Sequence, residues 1–472
     1  MQFTINNKLR TGILSLFIIT VAIAATSLPL SYIVVFLVLL LGLTLVISIN
    51  NSLWYIVIPI ILIYQLYLPL NFSITLMVLV SLILFANEYF NGKLFVYYTK
   101  HTSMKIYFFL LFAMTVAIIY SPNRFLGIKL VFFSFIGLVS LCLGFYYRSK
   151  NLSVSRVLNS ILIISLPVAV LNIFFLVYPE MELEFLSSRI ALLFIDPSTL
   201  RMLNNGEIFN NILDPYKAGT FFINANVASV YFGFLFCISF AQMIDNWRFR
   251  YILSSLIFIG AILATQSRAG LLALLIVVLV FLILKFSVRT LIKLVSILSS
   301  IIVIVFFVTP KTIIENLTSR INVDVVENDP RVLIWNFTFE KIKEHAFLGL
   351  GIGGWEAEFP SYALRVGTDP TFPPHNIFVI VWTWGGIVCL ILFTFFFINA
   401  ILTIYKKYMN NNGKNVFYLC GLGCILFVVV QGMFDNFFLH NYSISTLFFF
   451  VMGLLLYNEE AEVELTSEIR SA

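Results

Sequence analysis

Charge is scarce in this sequence. Asp, Glu, Lys and Arg make up 11% of its 472 residues, against ~25% in an ordinary soluble domain. That excludes a soluble globular class, and a mean hydropathy of +0.99 points to an integral membrane protein. The five cysteines, Cys142, Cys237, Cys389, Cys420 and Cys424, all fall in apolar runs. They lack the spacing of a disulfide framework or a zinc site and read as packing residues. Histidine occurs only four times, at His101, His345, His375 and His440. No compact set of acids accompanies His375, so metal catalysis is not the first reading and no cofactor is expected. No internal repeat is evident, which counts against an inverted-repeat transporter. No small-residue cleavage pattern follows the first apolar run, so it reads as an anchor rather than a removed signal peptide. The net charge of +6 comes with no nucleic-acid-binding module.

What is abundant is apolar sequence in runs long enough to cross a roughly 30 Å hydrocarbon core. These are 11–27, 29–48, 53–69, 72–89, 105–120, 125–147, 157–178, 219–243, 249–266, 268–284, 294–309, 377–403, 416–434 and 441–457. The expected fold is all-α, a polytopic transmembrane helical bundle of about 12–14 spans, forming a single integral membrane domain over 1–472. With both termini cytoplasmic, the inside turns collect Lys8, Arg10, Lys93, Lys100, Arg148, Lys150, Arg248, Arg250, Lys285, Arg289, Lys406 and Lys407, as the positive-inside rule requires.

This orientation leaves two long segments on the far side of the membrane, 179–218 and 310–376, rich in acids such as Glu182, Asp196, Glu344 and Glu358. Loops of this length in a compact bundle are usually functional or flexible. Within the second, Val332, Trp335, Phe339 and Ile342 recur at helical spacing, predicting an amphipathic helix lying near the membrane surface.

Few polar residues are placed to do chemistry. Arg268, in Thr265-Gln266-Ser267-Arg268-Ala269-Gly270, has no acid nearby in sequence and stands at the outer end of a span. It either snorkels to lipid headgroups or serves a phosphate or pyrophosphate, whose oxygens match its planar fork. Gly270 can admit a neighbouring helix. Arg331 follows Pro330 at a helix start, where the dipole disfavours a cation unless an anion is shared with the exposed amides; solvent exposure is the alternative. His375, in Phe372-Pro373-Pro374-His375-Asn376, can orient or deprotonate an acceptor hydroxyl near neutral pH, or be merely structural. Asn224 and Asn226 open another span and either cap it or hydrogen-bond a sugar. The run Gly349-Leu350-Gly351-Ile352-Gly353-Gly354 lacks the Lys-[Ser/Thr] of a phosphate loop, so its glycines are expected to turn the chain toward Trp355.

In chain order, 219–226, 265–270, 331–335, 349–354 and His375-Asn376 followed by Gly385-Gly386-Ile387 resemble the O-antigen ligase and polymerase superfamily of polytopic membrane glycosyltransferases, over roughly residues 219–400. The resemblance implies an inverting transferase of the bacterial inner membrane, working on its periplasmic face with an undecaprenyl-diphosphate-linked glycan as donor. It implies that Arg268 and Arg331 bind the diphosphate, that Asn224, Asn226 and Asn376 contribute to substrate binding, and that His375 is the catalytic or acceptor-side histidine. The acceptor would be a lipid A–core sugar hydroxyl in a ligase, or another lipid-linked glycan in an O-antigen or capsular polysaccharide polymerase. Membrane lipids and envelope polysaccharide assembly proteins are the other expected partners. The ligase spacing of His-Asn, nine residues and Gly is met by His375, Asn376 and Gly386. Cys389 stands where ligases carry a small or hydroxylated residue, and Thr383 and Trp384 where an acid is common. Polymerase therefore remains an alternative, as does, from another class, a lipid-linked oligosaccharide flippase.

Overall fold

A computed structural model describes residues 54–67, 75–90, 93–188, 190–205, 216–287, 289–290 and 330–457. The expected spans 11–27, 29–48 and 294–309, together with 206–215 and 310–329 of the two long segments, lie outside the described residues.

Helices α1 (Trp54–Tyr64), α2 (Leu76–Phe90), α3 (Lys93–Lys100), α4 (Thr102–Ala117), α5 (Arg124–Ser149) and α6 (Val154–Val177) come first. Short helices α7 (Pro179–Ser187), α8 (Ala191–Phe194) and α9 (Pro197–Asn204) occupy the first long segment. Then come α10 (Ala225–Asp245), α11 (Phe249–Thr265) and α12 (Arg268–Lys285). The second long segment holds α13 (Pro330–His345) and α14 (Gly354–Val366), before α15 (Ile377–Asn410), α16 (Val416–Gly432), α17 (Phe437–His440) and α18 (Tyr442–Leu456). Among the described residues, 6 helices are long and apolar enough to cross a membrane and three more are apolar but shorter. The protein is a multi-pass all-α membrane protein. An isolated antiparallel bridge pairs Tyr67 with Thr75. The expected run 53–69 is helical only as far as Tyr64, because Gln65 takes a left-handed φ of 48° and ends the hydrogen-bond ladder.

Seven helices have their N-terminal ends fixed by short polar side chains. Asn123, Ser153, Asn224, Ser267, Asn376, Asn415 and Asn441 each accept a hydrogen bond from an amide of the first turn, satisfying donors that lipid cannot. α10 is the central post. Of its apolar window 89% is buried inside the protein, against 22% for α12, so α12 is far less enclosed than α10. α5 and α18 approach closely where Gly144 lies on the Phe450 carbonyl and Gly453 on that of Leu141, a contact that larger side chains would forbid.

Polar contacts gather at the two ends of the bundle. At one end Lys285 pairs with Asp245 at 2.7 Å, and Lys407 donates to the carbonyls of Leu455 at 3.0 Å and Tyr457 at 2.6 Å. His101 is buried there, stacked 4.3 Å from the Phe145 ring and 5.6 Å from that of Tyr457, which makes it a packing residue. At the opposite end the long segments fold onto the helix termini. The Tyr67 amide donates to Leu193 at 2.9 Å and that of Ala218 to Ala264 at 3.1 Å.

Candidate functional site at the loop-covered end

The chain enters α10 through a strained turn. Thr220 and Ile223 take left-handed φ angles of 47° and 61°, sparsely populated for residues with a Cβ and costly for a β-branched one. The turn is held from α7 by Glu182, whose Oε1 accepts the amides of Gly219 at 3.0 Å and Thr220 at 2.8 Å. Burial pushes the Glu182 carboxyl above its ordinary range, a shift that these two amides oppose. Asn224 then caps α10 by accepting the Asn226 amide at 2.9 Å. Its carboxamide oxygen therefore has a capping role, and both asparagines are half-buried.

α11 and α12 meet in a tight corner. Gln266 is left-handed, with φ 50°, and Ser267 caps α12 through the Gly270 amide at 3.3 Å. Gly270 lies directly over Ser229 of α10, the close helix approach expected of it. Arg268 is the first residue of α12 and is exposed; among the described residues nothing pairs with its guanidinium. A cation and the positive end of a helix dipole thus share one place, and both favour an anion.

Arg331 is half-buried near the start of α13. The helix expected here is present, but its inward stripe differs from the expected one. Ile334 and Phe337 are buried against Trp355, Phe359 and Ala363 of α14, with Phe337 edge-on to Trp355 at 5.2 Å. Val332, Trp335 and Phe339 instead lie on the exposed side. Both faces of α13 are apolar, so periodicity alone could not tell which one packs. Lys341 ties the pair of helices together, 2.8 Å from Glu344 and 2.9 Å from Glu358, and these partners raise its pKa. α14 itself was missed. Its signal was Trp355, Phe359 and Ala363 at i, i+4, i+8, obscured by the preceding glycines and by Pro360 within the helix.

The glycine run does turn the chain, and it also docks. Gly349, Gly351 and Gly353 have φ of 68°, 77° and 83°. α15 is broken at Gly385 and Gly386, the latter at φ 63°, ψ −155°, and residues 346–350 fill the break. Leu350 donates its amide to Thr383 at 2.8 Å, Ile387 to Ala346 at 3.0 Å, and the Trp382 indole to Ala346 at 3.2 Å. From the α4–α5 turn, the Tyr120 hydroxyl donates to Leu348 at 2.9 Å, and that of Ser121 donates to Ile352. The amides of Gly349, Leu350 and Gly354 are committed to carbonyls, unlike those of an anion cradle.

His375 follows Pro373 and Pro374, half-buried, with a left-handed φ of 50° and its ring 6.1 Å from that of Phe372. The Phe372 carbonyl accepts the Trp355 indole at 2.9 Å, so α14 holds the approach to His375. Asn376 caps α15 at Phe378 and Val379, at 2.9 and 3.1 Å, and donates to Met433 at 3.0 Å. From the same end of α16, Gln431 donates to the Asn226 carbonyl at 2.9 Å. The structure thereby joins Asn226 and Asn376 through α16. It places Arg268 on the neighbouring corner beside α10, and Arg331 on the helix pair leading to His375. His345 is exposed, 3.9 Å from Glu344. The end of α16 and the turn after it were overlooked, because the expected span 416–434 ran past Gln431 and stopped just short of the buried Asp435 and Asn436. Among the described residues, no group of three or more His, Cys, Asp or Glu is assembled as a metal site.

The family model described as O-antigen ligase matches residues 253–394, under a third of the chain. The matched stretch contains Arg268, Arg331, His375, Asn376 and the Gly385–Gly386 break; Asn224 and Asn226 precede it. This part of the chain is thus similar to O-antigen ligases, which suggests membership in that superfamily. No curated protein matches the chain.

Proposed function

We propose that the protein is an O-antigen ligase-like inverting glycosyltransferase of the bacterial inner membrane. It would take a glycan from undecaprenyl diphosphate and transfer it to a lipid A–core sugar hydroxyl on the periplasmic face, with both termini in the cytoplasm. The observation that carries this reading is Arg268, exposed at the N-terminus of α12, inside the segment similar to O-antigen ligases.

In the proposed reaction the acceptor hydroxyl attacks the anomeric carbon as the bond from that carbon to the diphosphate oxygen breaks. The electron pair leaves with the diphosphate, where Arg268 and Arg331 offset the developing charge. The hydroxyl proton passes to the His375 imidazole. Single displacement inverts the anomeric centre and requires no glycosyl-enzyme carboxylate. The exposed apolar side of α13, with Val332, Trp335 and Phe339, suits contact with the membrane surface, which would keep Arg331 at headgroup level.

Purified protein in lipid nanodiscs, given an undecaprenyl-diphosphate glycan and lipid A–core without nucleotide, tests this. Joined glycolipid is the expected product. Longer lipid-linked glycans would select polymerase, the reading favoured by Cys389, Thr383 and Trp384. Translocation in vesicles without any covalent product would replace the enzyme reading with a flippase.

A further inference from the structure

The first long segment is bonded to the corner that carries Arg268. Glu182 of α7 is buried, and its Oε1 is the shared acceptor for the amides of Gly219 and Thr220, at 3.0 and 2.8 Å. One residue earlier, the Ala218 amide donates to the Ala264 carbonyl at 3.1 Å. Ala264 lies in the last turn of α11, whose final carbonyls have no donor within their own helix. A donor from outside therefore closes this helix end. Ala218 and Ala264 are buried together with Phe175, and Phe185 of α7 packs against the three. The Phe185 ring lies 5.7 Å from that of Phe175 and 5.9 Å from that of Phe221. Thus α7 holds the strained turn with Glu182 and backs the Ala218–Ala264 bond with Phe185.

From Ala264 the chain runs directly to Arg268 through a corner with little freedom. The buried Thr265 hydroxyl donates to Ile262 at 2.7 Å and accepts the Ser267 amide at 3.3 Å. Gln266 is left-handed, and Ser267 caps α12. Beyond Arg268, Gly270 rests on Ser229 of α10. Two anchors therefore fix the start of α12, Gly270 on α10 and Ala218 on the end of α11. The exposed guanidinium is placed by the backbone that carries it. Without the Glu182 carboxylate, two buried amides lose their acceptor, which is unfavourable enough to drive rearrangement. The left-handed Thr220 and Ile223 persist only while their surroundings hold them. Relaxation of this turn reaches Ala218 first, and Ala264 through their hydrogen bond.

We propose that Glu182 is a positioning residue for Arg268, holding the α11–α12 corner where its guanidinium meets an anion. The identity of that anion, a diphosphate, rests on the function proposed above; the coupling between the two residues does not. The full chain in nanodiscs is followed by amide exchange at 218–220 and 265–270 and titrated with bare undecaprenyl diphosphate. Glu182→Ala is expected to speed exchange in both segments and to weaken the probe at least about fivefold. Glu182→Gln keeps an acceptor and should restore both to within about twofold of wild type. A purely structural role predicts a loss of affinity independent of Arg268. Coupling predicts instead that Glu182→Ala adds nothing once Arg268→Ala is present. The proposal is overturned if exchange at 265–270 stays unchanged, if Arg268→Ala weakens the probe and Glu182→Ala does not, or if the two losses add. Each of these leaves the diphosphate reading standing. If 265–270 loosens but neither variant weakens the probe, the positioning stands and the diphosphate reading falls. Should Glu182→Ala not fold, the wild type decides by reciprocity. Bound probe then protects 218–220 as well as 265–270, and protection of 265–270 alone overturns the proposal.

Discussion

The Asn376 carboxamide donates to the Met433 carbonyl at 3.0 Å while its oxygen caps the first turn of α15. One side chain therefore starts the helix that follows His375 and pins that start to the end of α16. Asn376→Asp keeps the cap acceptor and loses the donor, whereas Asn376→Ala loses both. The expected thermal destabilisation is about 1 kcal/mol for Asp, with roughly another 1 kcal/mol for Ala. Glycan transfer should fall in both. An Asp variant as stable and active as the wild type would show that the Met433 bridge contributes nothing.

Gly386 and Gly385 are adjacent but should tolerate alanine very differently. Gly386 has φ 63° and ψ −155°, and a Cβ there would meet the Phe347 carbonyl. Gly385, at φ −151°, faces the side chain of Cys389. Gly386→Ala should cost at least ~1–3 kcal/mol from backbone strain alone and release the 346–350 segment to protease. Gly385→Ala should be milder. Equal unfolding temperatures for the two variants would contradict the docking described for the glycine run.

Glu182 supplies a pH-dependent prediction. Its folded pKa lies above the ordinary value of 4.5, so the cost of burying the charged form is absent below that value and grows as pH rises through the folded pKa. Glu182→Gln retains a carbonyl acceptor for Gly219 and Thr220 without the charge. It should be more stable than wild type at neutral pH, with the difference shrinking as pH falls toward 4.5. Glu182→Ala leaves two buried amides unpaired and should lose about 1–3 kcal/mol. Thermal melts of the three proteins across this range decide it; a difference that widens on acidification would reverse the assigned sign.

Phe337 is the hub between α13 and α14, 2% exposed and in ring contact with Trp355, Phe359 and Tyr362. Phe337→Ala should destabilise the pair by roughly 3–5 kcal/mol, seen as faster amide exchange in both helices. Phe339→Ala, on the exposed side, should leave exchange in α14 unchanged. The reverse pattern would restore the stripe suggested by sequence periodicity.

Sequence was most informative where the cause is local. Asn224, Ser267 and Asn376 sit at helix starts because a short side-chain oxygen satisfies first-turn amides, and the corner before Arg268 follows from Ser267 and Gly270. The inward face of α13 was not legible, since Ile334 and Phe337 are as apolar as Val332 and Trp335 and the choice is made by α14. The glycine run was readable as a turn, but its docking into the α15 break depends on partners about 35 residues away in sequence. The bridges from Asn376 to Met433 and from Ala218 to Ala264 join still more distant segments, which no short-range pattern encodes.

The most direct test concerns Arg268. Arg268→Lys retains the charge but replaces a planar five-donor fork with an ammonium. Single-turnover transfer from an undecaprenyl-diphosphate glycan, with donor affinity measured in parallel, separates binding from chemistry. Loss of one charged hydrogen bond is worth about 1.5–3 kcal/mol, so a roughly 10–100-fold slower chemical step is predicted, with normal folding and membrane insertion. Donor affinity and chemical rate both within twofold of wild type would contradict the account and leave Arg268 as an interfacial anchor.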